Sequence, residues 1–507
     1  MAAEGSDTQR ATAFASLAFS DPDNIRRIWA DDTQRAVIVA GAAAGQPDVV
    51  RQHAMQIMRN VMSTSSSPSS SRQIALLVPD LDAAQLVESI IGQLEALPEV
   101  EMQGACPKVS FKGQVGSDSG GLSRELFARF GQAMERAPAE SAAPEAGATD
   151  EASRKRQRVD NRPRLWKSTA GGALVPSSAE TLMGRVGDAT DAEGAVVPSI
   201  PQHILQRYRA CGRLCGLALN SGCPLGMPLA TYFIRLLQAA TPQPPETVEE
   251  LQSLLASEDK VHYLARPCFL RQQLSDQGLG SGVLTMERQV TVPAHGGPSR
   301  EASTEPVATP VRVPLAAPLS ADPECEVTDD NKESYLKRTL THQLHTTIAQ
   351  QAAAFRAGVY DVLRTDLQQL FGALTPIELR NLWCGHSLDD EQLARWRQST
   401  VVEKAVAQQA EWFWAWLNSC TADCRARVLQ FATGSLRLPR KLNFRITQAS
   451  DPITIAPTPS NGLHAPCACA SSATCGPTLS LPLYQSSDEL SVGMELSMQW
   501  GEGYGLA

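Results

Sequence analysis

The chain has 507 residues, and its 45 lysines and arginines against 54 aspartates and glutamates give a net charge of −9 at neutral pH. Hydrophobic residues make up 43% and charged residues 20% of the chain, which is typical of a globular protein of about three domain-sized units. The acidic balance argues against a dedicated nucleic-acid binder, whose surface is basic, and no apolar run is long enough to span a bilayer. We therefore expect neither nucleic acid nor a membrane among its partners.

The N-terminal residues and the cysteines indicate a cytoplasmic protein. Residues 1–7 carry acidic residues and lack a basic region followed by an apolar stretch, so we expect no signal peptide. The twelve cysteines are scattered from Cys106 to Cys475, which favours free thiols in a reducing compartment. The basic run 154–158 fits either a nuclear import signal or an ordinary solvated charge run.

Three segments of biased composition interrupt the first part of the chain. Residues 1–71 form an N-terminal extension that contains no recognisable motif. It ends in the serine-rich run 63–71, which is a flexible linker by composition. From residue 72 to residue 101 apolar residues recur at helical spacing. The segments 137–164 and 291–323 are expected to be disordered insertions, the first because it is poor in core-forming residues and the second because prolines punctuate it.

After residue 325 the pattern becomes strongly helical. Asp330 with Glu333 resembles a capping box, and Thr400 with Glu403 resembles another, so helix starts are predicted at both places. One apolar stripe at helical spacing follows the first of them. Its members are Leu336, Leu340, Leu344, Ile348, Ala352 and Phe355.

The C-terminal hundred residues combine helices and strands. A helix is predicted from Thr421 to Gly434, where glycine supplies a left-handed stop, and a last helix opens at Ser487. Alternating apolar and polar residues predict short strands between these helices. The predicted strands are 442–447, 453–455 and 479–481.

Cys475 is a candidate nucleophile because a polar loop precedes it, Gly476 and Pro477 follow it, and a strand begins shortly afterwards. A thiol in this place leaves room for a bulky acyl group, and Thr474 can donate a hydrogen bond to a developing thiolate, the reactive form. The alternative is an inert buried thiol, which is the common state of a cysteine. The residues alone leave these two interpretations evenly balanced.

Two other chemistries compete for the same region. His464, Cys467, Cys469 and Cys475 offer four zinc-type ligands within twelve residues, but Cys-x-Cys is tighter than the usual knuckle and no second pair follows. A papain-like protease is weaker still, because no histidine follows Cys475.

Thr474-Cys475 with Leu479, Leu481-Pro482 and Tyr484 resembles the active-site signature T-C-x-x-x-L-x-L-P-x-Y of HECT-type ubiquitin ligases. Further segments resemble motifs of that family in the family's own order: 109–127, 208–237, 327–335, 351–358, 374–385, 412–414 and 429–434. The resemblance extends from about residue 72 to residue 507, apart from the two insertions. Such an ordered set is far more specific than any one motif.

The resemblance implies an α+β, bilobal domain. A larger, mainly helical N-lobe would span 72–399 and receive the ubiquitin-loaded conjugating enzyme, and a small mixed α/β C-lobe would span 400–507 and carry the nucleophile. Residues 397–402 would be the hinge. The implied partners are the conjugating enzyme, ubiquitin and an unidentified protein substrate, and no cofactor or metal is implied.

The resemblance also assigns roles to residues. Cys475 would carry ubiquitin as a glycyl thioester and pass it to a substrate lysine, with Thr474 and Tyr504 in supporting roles. Tyr504 is included because the family bears an aromatic residue fourth from the C-terminus. The family usually has His before Thr-Cys and Phe-Asn after it, whereas this chain has Ala473, Gly476 and Pro477. These departures motivate an alternative: a catalytically weak or inactive HECT-like adaptor that binds ubiquitin or the conjugating enzyme.

Overall fold

The computed structural model of the chain describes the following residues: 27–28, 31–42, 46, 50–51, 53–54, 57, 72–79, 83–112, 118, 120–135, 165–169, 173–179, 182, 200–226, 228–238, 247–258, 287–292, 309–314, 327–363, 374–385, 388–438, 443–455, 466–474 and 476–500. The predicted linker 63–71, the first insertion 137–164 and the basic run 154–158 lie outside these residues.

Helices dominate the described chain before residue 385, and none of the described helices is long and apolar enough to cross a membrane. The helices are α1 (Asp32–Ala42), α2 (Ala83–Ala96), α3 (Glu99–Met102), α4 (Gly121–Glu135), α5 (Gln202–Asn220), α6 (Thr231–Gln238), α7 (Val248–Glu258), α8 (Lys332–Leu344), α9 (Ala349–Val362) and α10 (Pro376–Cys384). Three strand pairs accompany them: β1 (Gln73–Val78) parallel to β2 (Cys106–Phe111), β3 (Trp166–Ser168) antiparallel to β4 (Leu174–Pro176), and β5 (Glu287–Val292) antiparallel to β6 (Thr309–Pro314).

The remaining elements combine helices with a small sheet. The helices are α11 (Asp390–Ser399), α12 (Ala407–Ser419), α13 (Ala422–Thr433) and α14 (Ser487–Trp500). The strands are β7 (Val401–Val402), β8 (Arg445–Gln448), β9 (Thr454–Ile455), β10 (Cys467–Ala468), β11 (Ser471–Ala473) and β12 (Thr478–Leu481). Four of them form a mixed sheet in the order β11-β12-β8-β7, in which β7 and β12 run parallel to β8, and β11 is antiparallel to β12.

Buried apolar side chains of the described residues form two large clusters. The N-terminal cluster contains buried residues from Ile38 to Cys384, and the C-terminal cluster contains buried residues from Leu388 to Met498. The first is built mainly by helices and the second by helices packed on the four-stranded sheet. This is an α+β architecture, as the sequence predicts.

Helix α11 packs with the C-terminal cluster. The ring of Trp396 lies edge-on to Trp414 at 5.3 Å and to Phe444 at 5.1 Å between centroids. The change from one cluster to the other therefore falls between Cys384 and Leu388. Gly385, in this interval, has a φ of 74°, a value that favours glycine.

Two glycines let α5 and α9 cross with their backbones in contact. A Cβ atom built on Gly212 would lie 2.0 Å from the carbonyl oxygen of Phe355, and one built on Gly358 would lie 1.9 Å from the carbonyl oxygen of Arg209. No side chain fits at either distance. Both glycines belong to segments that resemble family motifs, and the crossing gives the physical reason for glycine there.

Ion pairs reinforce this crossing. Asp361 of α9 accepts hydrogen bonds from Nε of Arg213 at 2.7 Å and from Nη2 of Arg209 at 2.6 Å, both on α5. Arg213 also donates to the carbonyl oxygens of Leu94 and Leu97 at 2.7 and 2.8 Å. The buried guanidinium and carboxylate therefore have partners, which a buried charge requires.

Part of the N-terminal extension packs into the N-terminal cluster. Ile38 and Ala42 of α1 are buried there, together with Val50, Ala54 and Ile57. Arg51 donates to the carbonyl oxygen of Ala42 at 3.1 Å and forms an ion pair with Glu378 at the start of α10. The predicted domain boundary at residue 72 stays a prediction, but the core begins before it.

Glu378 joins this extension to a capping box. Thr375 caps α10 and exchanges hydrogen bonds with Glu378, the pair that satisfies the first amides of the helix. Burial alone would raise the pKa of Glu378, but hydrogen bonds from Arg51 and Thr375 outweigh it and lower the pKa below its ordinary 4.5. The sequence analysis does not predict this capping box.

A lowered carboxyl pKa makes stability depend on pH. The contribution is complete above the unfolded pKa and is lost as the pH falls through the lower folded-state value. We expect Glu378→Gln to be less stable than the wild type at neutral pH by about 1 kcal/mol or less, and the difference to shrink below pH 4.5. Urea unfolding at several pH values measures this, and a difference that persists undiminished in acid would contradict the ion pair.

The two predicted capping boxes are wrong. Helix α8 begins at Lys332 after Asn331, without a side-chain cap. At the second site the amide of Val401 donates to the carbonyl oxygen of Phe444 at 3.0 Å, so the backbone joins the sheet as β7 and α12 begins only at Ala407. Strand pairing outweighs the local capping preference of Thr400.

The second predicted insertion contains regular structure. Residues 309–314 form β6, which pairs with β5, so the expectation of disorder across 291–323 is wrong for this stretch. Pro310 and Pro314 are tolerated because each strand of a two-stranded ladder has an open edge, where no amide donor is needed.

Candidate active site

The candidate nucleophile lies in the loop that joins β11 to β12. Ala473 pairs with Thr478, so residues 474–477 close an antiparallel turn at one edge of the four-stranded sheet. Cys475 itself lies outside the described residues, whereas Thr474, Gly476 and Pro477 are described. Chain connectivity alone therefore places Cys475 in this short loop.

Backbone and side-chain hydrogen bonds fix both flanks of the loop. The hydroxyl of Thr478 donates to the carbonyl oxygen of Gly476 at 2.6 Å, and the carbonyl oxygen of Pro477 accepts from the amide of Arg445 at 3.0 Å. On the other flank the hydroxyl of Ser472 donates to the carbonyl oxygen of Phe431 at 2.7 Å. The loop is thus held by β8 on one side and by α13 on the other.

The residue after Cys475 faces open space. A Cβ atom built on Gly476 would meet no described heavy atom within 4 Å apart from its chain neighbours, and Gly476 is exposed. A large acyl group attached at the neighbouring position therefore has room on this side. That the loop admits a bulky acyl group at Cys475 stays a prediction.

Signature residues after the loop form part of the C-terminal cluster. Leu479, Leu481 and Tyr484 are buried, and the hydroxyl of Tyr484 donates to the carbonyl oxygen of Ala468 at 3.0 Å. Burial raises the pKa of Tyr484 well above its ordinary range, so the phenol stays protonated as this hydrogen bond requires. These residues anchor the strand that follows the loop.

Two cysteines of the alternative zinc interpretation, Cys467 and Cys469, lie within the described residues. Cys467 and Cys469 are buried and pack with Leu496 in a small third cluster. Burial raises the pKa of both thiols, so they remain protonated at neutral pH. Among the described residues no group of three or more side chains could hold a metal ion, and His464 lies outside them.

The loop also contacts α4, a helix whose apolar side chains belong to the N-terminal cluster. The guanidinium of Arg124, in the first turn of α4, donates a hydrogen bond to the carbonyl oxygen of Thr474. Gly434, left-handed with a φ of 75°, ends α13 at the same point: a Cβ built on it would lie 3.5 Å from Cβ of Thr474 and 3.6 Å from Cβ of Arg124. The structure thus brings together three residues from distant parts of the sequence.

Asp118 fixes the start of α4. Its carboxylate accepts from the amide of Gly120 at 2.8 Å, the hydroxyl of Ser123 at 2.6 Å and the amide of Val109 on β2 at 2.9 Å. A carboxylate at a helix start also interacts favourably with the helix dipole. The sequence analysis includes Arg124 in a family-like segment but gives it no role, because no local pattern indicates a partner 350 residues away.

The described fold and loop define a mainly helical unit followed by a small sheet that presents a cysteine-bearing loop. A family model described as HECT-domain (ubiquitin-transferase) matches residues 159–507, more than half of the chain. The chain belongs to this HECT-domain family. Tyr504, the predicted aromatic residue of the tail, lies within the matched range but outside the described residues.

Similar curated proteins are described as E3 ubiquitin-protein ligases. E3 ubiquitin-protein ligase TOM1 of Saccharomyces cerevisiae is 30% identical over 187 residues, 36% of this chain and 5% of that protein. E3 ubiquitin-protein ligase NEDD4 of Rattus norvegicus is 28% identical over 184 residues, 36% of this chain and 20% of that protein. E3 ubiquitin-protein ligase pub3 of Schizosaccharomyces pombe is 30% identical over 187 residues, 36% of this chain and 22% of that protein. The matches thus span less than a quarter of each relative.

Proposed function

We propose that the chain is a ubiquitin ligase that accepts ubiquitin from a conjugating enzyme as a thioester on Cys475 and transfers it to a substrate lysine. The observation that carries the proposal is the loop of residues 474–477 in a chain of the HECT-domain family. Its flanks are fixed by hydrogen bonds, and the residue after Cys475 faces open space.

The chemistry needs little beyond an accessible thiolate. The sulfur of Cys475 attacks the carbonyl carbon of the incoming thioester, a new C–S bond forms, and the conjugating enzyme's sulfur leaves with the electron pair of the broken bond. The exchange is close to energy-neutral, so placement decides the rate. A deprotonated lysine amine then attacks the same carbon, the nitrogen loses one proton to water as the amide bond forms, and Cys475 leaves as the thiolate with the electron pair of the broken C–S bond.

The adduct itself is the direct test. The purified chain is incubated with ubiquitin, the activating enzyme, ATP and a panel of conjugating enzymes, and the products are separated with and without a thiol reductant. We expect a band heavier by one ubiquitin that the reductant removes. Stable binding of the charged conjugating enzyme without such a band would instead identify an inactive adaptor.

The two clusters of buried side chains support the proposal that the chain has two lobes. We place their connection between Cys384 and Leu388, since buried residues change cluster there. The boundary predicted at residue 400 would separate Trp396 from its ring partners Trp414 and Phe444. A pivot in the connection would let the C-terminal cluster face the conjugating enzyme first and a substrate lysine afterwards.

Trp396→Ala distinguishes these boundaries. Removal of this fully buried ring is expected to destabilise the C-terminal cluster by about 3–5 kcal/mol. Hydrogen exchange measured by mass spectrometry should show lost amide protection in α12 and β12, and unchanged protection in α5 and α9. Lost protection in α10 with α12 unaffected would favour the boundary at residue 400.

A further inference from the structure

We propose that Arg124 is a positioning residue for the thioester chemistry: it holds the carbonyl group of Thr474, and through it the loop that carries Cys475, against α4. The inference rests on the proposed function of Cys475. It goes further because it assigns a role in that reaction to a residue of α4, a helix whose apolar side chains belong to the N-terminal cluster and not to the cluster around the loop.

The hydrogen bond acts on the peptide group that Cys475 shares. The carbonyl carbon of Thr474 is bonded to the nitrogen of Cys475, and the peptide group is planar from one Cα atom to the next. A guanidinium that fixes the oxygen of this plane therefore also restricts where Cα of Cys475 lies. A charged donor makes a stronger bond to a carbonyl than a neutral donor does.

Arg124 is itself held in place. Its amide donates to the carbonyl oxygen of Gly120 at 3.2 Å, and Asp118 binds the first turn of the same helix through Gly120 and Ser123. The side chain is partly buried. Since these hydrogen bonds fix the start of the helix, the backbone of Arg124 has a defined position from which its side chain reaches Thr474.

The contact continues along one face of α4. Gln132, two turns after Arg124, donates from Nε2 to Oε1 of Gln430 on α13 at 3.2 Å. Ala128 lies between them at the same spacing and is buried. Residues four apart share a helix face, so Arg124, Ala128 and Gln132 form one stripe. It contacts Thr474 at one end and α13 at the other.

Two further contacts fix the same docking. A Cβ built on Gly226 would lie 3.0 Å from Cα of Ala128 and 3.5 Å from Cδ1 of Leu436, so these segments approach closely. Nε of Arg437 donates to the carbonyl oxygen of Gly385 at 3.1 Å. These contacts hold the cluster as a whole, whereas the bond from Arg124 reaches the loop itself.

A single-turnover assay tests the role. Pre-charged conjugating enzyme is mixed with the full chain at increasing concentrations, and the rate of adduct formation on Cys475 is measured. For Arg124→Ala we expect the maximal rate to fall about 10- to 100-fold, the size of effect that a small misplacement produces. The half-saturating concentration should stay unchanged, since binding of the conjugating enzyme does not require this bond.

Rescue and control variants separate positioning from stability. Arg124→Lys keeps the charge and a donor and should recover part of the rate. Arg395→Ala removes an exposed arginine of α11 and should leave the rate unchanged. Melting curves accompany each variant, and Arg124→Gln, which keeps most of the volume, replaces Arg124→Ala if that variant does not fold.

The outcomes are distinct. A reduced maximal rate with an unchanged melting temperature and partial recovery in the lysine variant supports the role. A wild-type rate or a faster rate in Arg124→Ala and Arg124→Gln overturns it. It is also overturned if the maximal rate falls in proportion to the melting temperature across all variants. Absence of any adduct in the wild type would refute the proposed function instead.

Discussion

Gly358→Ala is expected to prevent normal packing of the N-terminal cluster. The added Cβ would lie 1.9 Å from the carbonyl oxygen of Arg209, 2.7 Å from its carbonyl carbon and 3.0 Å from the amide nitrogen of Arg213. All three atoms belong to the backbone of α5, so no side-chain rotation relieves the clash. The helices must separate, and the cost should exceed the about 1–3 kcal/mol of ordinary overpacking.

Separation would break more than one contact. The ion pairs of Asp361 with Arg209 and Arg213 span the same crossing, and a buried charge that loses its partner is strongly destabilising. Phe355, buried on α9, would also move away from Trp166 and Phe233, whose ring centroids lie 5.7 and 5.3 Å from its own. We therefore expect no cooperative melting transition for the N-terminal cluster in this variant.

Gly92→Ala is the matched control. Gly92 lies inside α2, and a Cβ built there meets nothing within 4 Å. Since glycine is unfavourable within a helix, this variant should be more stable than the wild type by about 0.5–1 kcal/mol. Circular dichroism melting curves compare the two variants. A wild-type melting curve for Gly358→Ala would show that the helices can separate at little cost.

Periodicity predicts much of the core. All six residues of the stripe that begins at Leu336 are buried, and so are Leu479 and Leu481 of the predicted strand. The stripe does not form one helix, however: α8 ends at Leu344, and α9 begins at Ala349 after a 3-10 turn. A turn of this kind keeps the buried face continuous, so the apolar pattern cannot reveal the break.

Local signals fail where tertiary contacts decide. Thr400 and Glu403 have the residue types of a capping box, yet Val401 pairs with β8, so the backbone there forms a strand and no helix begins. The glycine stop at Gly434 is predicted correctly, since its left-handed conformation depends on that residue alone. The sequence predicts the backbone conformation of a single residue better than it predicts the contacts of that residue with distant parts of the chain.

The candidate site shows the same division. The motif containing Thr474 and Cys475 is recognisable from a few adjacent letters, and its flanking strand is found where the pattern predicts it. The bond from Arg124 and the packing of Val50 and Ile57 of the extension depend on the fold of the whole chain. No periodicity or spacing encodes these contacts, so only the structure reveals them.

Cys475→Ala is expected to abolish the ubiquitin adduct completely. The thioester forms on a sulfur atom, and alanine offers no nucleophile at that position, so neither binding nor placement can compensate. The rest of the loop should keep its place, because its anchors are Ser472, Thr478 and the carbonyl groups of Pro477 and Thr474. Non-reducing gels of the reaction with charged conjugating enzyme measure the adduct directly.

Cys467→Ala and Cys469→Ala are the matched controls, from the same part of the chain. Both thiols are buried, and burial raises the pKa of each, so the reactive thiolate is disfavoured and we expect neither to be the nucleophile. Each variant should retain the reducible adduct, with a melting curve to show that the small cluster around Leu496 survives. An adduct that persists in Cys475→Ala and disappears in either control would move the nucleophile out of the loop and into this cluster.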